Sequence, residues 1–144
     1  MTDAGLLVAR VLIALMFLAS GYGALTNLAS TSAYFGGLGM PLPMLVAIGT
    51  GLFELVMGAL LVAGFQTRLV AAVLAAFCLF ATYVGHYGQG GDPAAVFMHQ
   101  QMLLKDIAVA GGLIAIALFG GGRASVDWVL ARRKTPVPPL EENG

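Results

Sequence analysis

"PMLVAIGTGLFELVMGALLVAG", residues 43–64, carries a single charged side chain, Glu54. A bilayer's hydrocarbon core of roughly 30 Å is crossed by about 20 helical residues, so a stretch of this length and polarity reads as a membrane-spanning segment. Leu, Ala, Val and Met fill it without strict alternation of apolar and polar residues, which favours a helix over a barrel strand. The consequence is a carboxylate near the middle of a transmembrane helix.

The rest of the chain agrees with this solvent. Of its 144 residues 59% are hydrophobic and 10% charged, against roughly 25% charged in an ordinary soluble domain. Three further spans fall near Gly5–Leu25, Arg68–Tyr87 and Gln100–Phe119. A soluble enzyme is thereby excluded. Zero formal net charge offers no basic field, so no nucleic-acid partner is expected. The lone Cys78 supplies neither an intrachain disulfide nor a dithiol redox pair.

The connections "TNLASTSAYFGGLGMPLP", "GFQTR" and "GQGGDPAAVFMH" are rich in turn formers and read as loops. Residues 1–130 form a four-helix transmembrane domain, and residues 131–144 a polar, Pro-rich tail ending in "TPVPPLEENG" that is expected to be extended or disordered. The first apolar stretch follows Asp3 rather than a basic region and is longer than a signal peptide's core, so cleavage is not expected. Arg68 lies in the second connection and Arg123, Arg132, Arg133 and Lys134 follow the fourth span, while the first and third connections hold no Lys or Arg. By the positive-inside rule both termini face the cytoplasm. The predicted fold is an all-α integral membrane protein, an antiparallel four-helix bundle with both termini cytoplasmic.

Counted back from Gly64 at about 1.5 Å per residue, Glu54 sits near the bilayer midplane. Ionised there, it costs at least a few kcal/mol, so it should face the bundle interior and find a partner or stay protonated. Ala47, Gly51 and Gly58 share its face, a small-residue pattern that lets another helix approach closely. Arg10 in the first span and Lys105 and Asp106 in the fourth are the available partners. Arg10 is followed by Ala14, Phe17 and Gly21 at successive turns, a face that can pack inward with it. A ladder Arg10–Glu54–Lys105 is expected, with Glu54, Lys105 and Asp106 as a proton relay. The same charges are also consistent with a purely structural role in fixing helix register, and Arg10 alone with snorkelling to head groups.

A second polar cluster closes the outer end: Tyr83, His86 and Tyr87, then His99, Gln100 and Gln101. Tyrosines at this level anchor the interface. The histidines are suited to exchanging protons or holding a carbonyl ligand, or are simply solvated loop residues. Two histidines without a placed third ligand do not make a metal site.

Taken in order, "ARVLIALMFLASGYG", "YFGGLGMP", "ELVMGALLVAGFQTRLVA" and "HQQMLLKDIAVAGGLIAIALFGGGRASVD" resemble the DoxX family of small bacterial membrane proteins over Leu6 to Asp127. The resemblance is carried by Arg10, Phe17 and Gly21; by Glu54, Gly58, Gly64, Thr67 and Arg68; and by Lys105, Gly111, Gly112, Gly122, Ser125 and Asp127. It implies a multi-pass protein of the bacterial inner (cytoplasmic) membrane, with some relatives linked to quinone-dependent oxidation of reduced sulfur compounds and others to redox-stress complexes. This sequence departs from the family pattern at Ala24, where a Lys is common, at Asp106, where Asn is usual, and at "GGG", where Gly-Pro-Gly is common.

Two functions follow as expectations. The first is a quinone-interacting membrane subunit of a redox or redox-stress system, with Arg10, Tyr83, His86, His99 and Gln100 as quinone contacts and a soluble or membrane redox partner carrying electrons. The sequence has no haem, flavin, iron–sulfur or metal motif. The second is a non-catalytic membrane scaffold or small-solute conduit whose buried charges serve packing. In either case the partners include the lipid bilayer, with a homo-oligomer compatible.

Overall fold

The computed structural model describes residues 3–134. The helices are α1 (Asp3–Thr26), α2 (Leu28–Gly37), α3 (Pro43–Ala63), α4 (Thr67–His86), α5 (Pro93–Phe119) and α6 (Val126–Lys134). Among the described residues four helices, α1, α3, α4 and α5, are long and apolar enough to cross a membrane. Their exposed side chains, Leu12, Leu52, Leu69 and Leu118 among them, form the apolar surface that lipid requires.

The chain packs as two helix pairs. α1 lies antiparallel against α3, and α4 against α5. The first pair approaches closely because glycines face each other: a Cβ on Gly21 would sit 2.6 Å from the Gly51 carbonyl oxygen, and one on Gly58 would sit 3.1 Å from Leu18. This is the small-residue packing expected from Gly51 and Gly58. The pairs meet at the end carrying the chain termini, where Phe17, Leu61, Leu74, Leu113 and Ile116 are buried in one cluster. At the opposite end, which carries the α1–α3 and α4–α5 connections, a cavity lies between them.

Three connecting regions differ from the sequence expectation. The first connection contains α2, a ten-residue helix with no buried residue, about 15 Å long and too short to span. It lies on α3 and reaches α4 through Tyr34, whose hydroxyl donates to the Gly85 carbonyl at 3.3 Å. The fourth span starts at Pro93 rather than Gln100: Asp92 caps it by accepting from the Ala94 and Ala95 amides at 3.0 and 3.1 Å, and Pro93 takes the first turn. That Asp-Pro pair is a helix start, not a loop signal. Finally, α6 carries helix across the boundary at residue 130. The expected extended tail "TPVPPLEENG" lies outside the described residues.

Candidate functional site

Each buried charge acquires a definite environment. Arg10 is fully buried at the terminus end. Its Nη1 donates to the Gly121 carbonyl, and its Nη2 to the carbonyls of Val62 at 3.0 Å and Ala124 at 2.9 Å. Gly64 makes room for it twice over: its backbone is left-handed, at φ 70°, and a Cβ there would lie 2.7 Å from Arg10 Nη1. Beside it, Asp127 accepts from the Gln66 amide at 2.7 Å, and from the Thr67 amide and hydroxyl at 2.8 and 2.7 Å. Gln66 starts α4 with no side-chain cap of its own, so a carboxylate from α6 supplies the cap and offsets the helix dipole. Burial alone would raise the Asp127 carboxyl, but these hydrogen bonds and the nearby Arg10 outweigh it and hold the group below the usual carboxylate value.

Arg10 therefore belongs to a clasp joining α1, the α3–α4 turn and residues 120–127. The expected ladder does not form. Glu54 lies eight residues from Val62 along α3, about 12 Å, and among the described residues no ion pair includes it. Lys105 points outward, half exposed, and pairs instead with its neighbour Asp106 at 3.3 Å.

Glu54 opens into the cavity at the other end, of about 420 Å³. Its wall is largely apolar, with Phe35, Phe77 and Phe80, and its polar groups converge from five helices: Ser20, Tyr34, Thr50, Glu54, His86 and Asp106. Among the described residues no Lys or Arg lines it. Asp106 is mostly buried, and His86 Nε2 stands 3.9 Å from its Oδ2. His86 Nδ1 lies 3.0 Å from His99 Nδ1.

The structure thus brings together Glu54, Asp106 and His86, with His99 behind the last. Lys105 touches this group only through Asp106. Tyr83 is exposed and stacks on Tyr87, Gln100 lines a separate hollow at the α4–α5 connection, and Arg10 lies at the far end. Sequence reasoning missed Tyr34, because its segment reads as a loop. It also missed Thr50, although a residue four before Glu54 shares its helix face.

The DoxX family model matches residues 5–87. The chain belongs to the DoxX family. It is similar to the inner membrane protein YqjF of Escherichia coli (strain K12), 30% identical over 136 residues, which are 91% of this chain and 95% of the relative. It is also similar to the inner membrane protein YphA of the same organism, 31% identical over 122 residues, 85% of this chain and 87% of the relative. No solved structure matches it. This DoxX protein is accordingly a multi-pass inner membrane protein. Two departures from the family pattern noted above, Ala24 and Asp106, both fall on the wall of the Glu54 cavity.

Proposed function

We propose that this DoxX protein is a membrane subunit that binds a quinone-like ligand in the Glu54 cavity and serves a redox or redox-stress system. The observation that carries the reading is an apolar, aromatic-walled hollow with a few convergent polar groups and a buried carboxylate. Its volume lies within the roughly 300–1,000 Å³ of small-molecule sites. A flat, carbonyl-bearing ring fits this lining: His86 offers a hydrogen-bond donor; Tyr34, whose own proton goes to Gly85, offers an accepting oxygen; and Glu54 and Asp106 exchange protons with hydroxyl groups. Phe77 and Phe80 flank the ring, and the exposed Phe80 marks where a lipid-soluble ligand enters from the bilayer. A quinone supplies the capacity to take up or release electrons together with protons. The protein's own residues hold the ring and move protons at the carboxylates, and a partner protein hands on the electrons.

The scaffold reading keeps one specific support: Arg10, a buried charge expected to bind ligand, spends both terminal guanidinium nitrogens on backbone carbonyls at the far end. Lipid extraction after isolation in mild detergents decides between the two. Near-stoichiometric quinone is expected with the wild type. Glu54→Gln strands no cation, so its stability should stay within about 1 kcal/mol of wild type, while occupancy falls about tenfold or more. Absence of quinone across several detergents would favour the scaffold.

A further inference from the structure

His86 is a wall shared by two cavities. On one side is the Glu54 cavity; on the other is a hollow of about 330 Å³ at the α4–α5 connection, lined by Gly88, Gln89, Val96, His99 and Gln100. Its Nε2 faces the Asp106 carboxylate and its Nδ1 faces His99 Nδ1. We infer that His86 and His99 form a proton path joining the Glu54–Asp106 cavity to water at the connection-bearing face. For its purpose, the exchange of ligand protons, this rests on the reading of that cavity as the ligand site.

The geometry supplies each step. At 3.0 Å the two Nδ1 atoms share a hydrogen bond, so one ring carries the proton there and the other a lone pair. Protonated Asp106 gives its proton to His86 Nε2, closing the 3.9 Å gap by a small side-chain movement. His86 then releases its Nδ1 proton to His99 Nδ1, and His99 releases its Nε2 proton to water in the hollow. One proton has moved from the carboxyl to water, and each ring has exchanged one tautomer for the other; the passage of a proton the opposite way, from water through His99 and His86 to the Asp106 carboxylate, restores both. A path toward the terminus end is closed, since Phe17, Leu61, Leu74 and Leu113 are buried between the cavity and that end, and Arg10 there is occupied by carbonyls. The charged and titratable groups around His86 are Asp106, His99 and, beyond Asp106, Lys105 from α5; Tyr34 from α2; Glu54 from α3 across the cavity; and Tyr83 and Tyr87 on its own helix or next to it.

The test omits quinone. Protein in lipid nanodiscs receives a rapid acid jump, and carboxyl protonation is followed by time-resolved infrared absorption, with the Glu54 and Asp106 contributions assigned from Glu54→Gln and Asp106→Asn. Wild type should protonate promptly. His86→Phe and the milder His99→Gln should slow the change about tenfold or more without altering its end point, and imidazole in the buffer should restore the rate in His99→Ala. Unchanged rates in the histidine variants, slowing that imidazole does not relieve, or no protonation change at either carboxyl in wild type would each overturn the path. Because no quinone is present, failure of the ligand reading leaves this result standing. Conversely, normal quinone occupancy with unchanged proton rates defeats the path alone.

Discussion

Arg10 and Glu54 begin as the same kind of observation, a charge inside an apolar run, and end in opposite roles. Arg10 binds three carbonyl oxygens, one of them in the last turn of α3, where the helix dipole is negative. A guanidinium holds several acceptors in fixed directions; an ammonium does not. Arg10→Lys should therefore destabilise the protein by on the order of 3 kcal/mol, since buried carbonyls lose charge-assisted partners. Thermal unfolding in detergent checks it, and a melting temperature equal to wild type would remove the clasp from the account. Residue counting put Glu54 farther from the terminus end than Arg10, and in the structure Arg10 meets Val62, eight residues beyond Glu54 on α3. The count could not tell which groups meet them, because backbone carbonyls from residues 120–124 leave no mark in side-chain chemistry.

At the scale of elements, the α1–α3 contact was legible and the connections were not. Ala14, Phe17 and Gly21 do line up inward with Arg10, and Ala47, Gly51, Glu54 and Gly58 share one buried face, because helical periodicity is written in the spacing of small residues. Gly21→Val should lower stability by about 1–3 kcal/mol through overpacking against α3. Gly23→Ala, whose added Cβ meets nothing within 4 Å, should be neutral or slightly stabilising; equal effects in an unfolding assay would show that the facing glycines do not set the packing. α2 escaped notice because Ser, Thr and Gly dominate it and it buries no residue, so neither propensity nor periodicity announces it. The capping of α4 by Asp127 was equally hidden, the carboxylate arriving from 60 residues away. Its pH signature follows from the depressed carboxyl. The stability it confers is fully present above the ordinary value of 3.8 and is lost as pH falls through the lower folded value. Asp127→Ala should cost about 2 kcal/mol near neutral pH. The difference from wild type should shrink in an acid titration of stability below the ordinary carboxylate range; a constant difference would contradict the capping role.

For the whole molecule, the clasp and core lie at the terminus end and the Glu54 cavity at the other. Arg68, Arg123 and Arg132 gather at the terminus end, the last with its guanidinium 4.3 Å from the Trp128 ring, and the expectation of a cytoplasmic terminus end rests on these cations. A cytoplasmic reporter fused after Gly144 should be active and a periplasmic one silent, with the reverse for insertions at residues 88–91; the opposite pattern would overturn this orientation. The clasp also bears on the order in which the molecule is made. Gly121 meets a guanidinium synthesised 111 residues earlier. When the four spans have been made, Arg10 still lacks two of its three acceptors and α4 its cap. Completion of the fold therefore waits on residues 121–127, which lie beyond the last span.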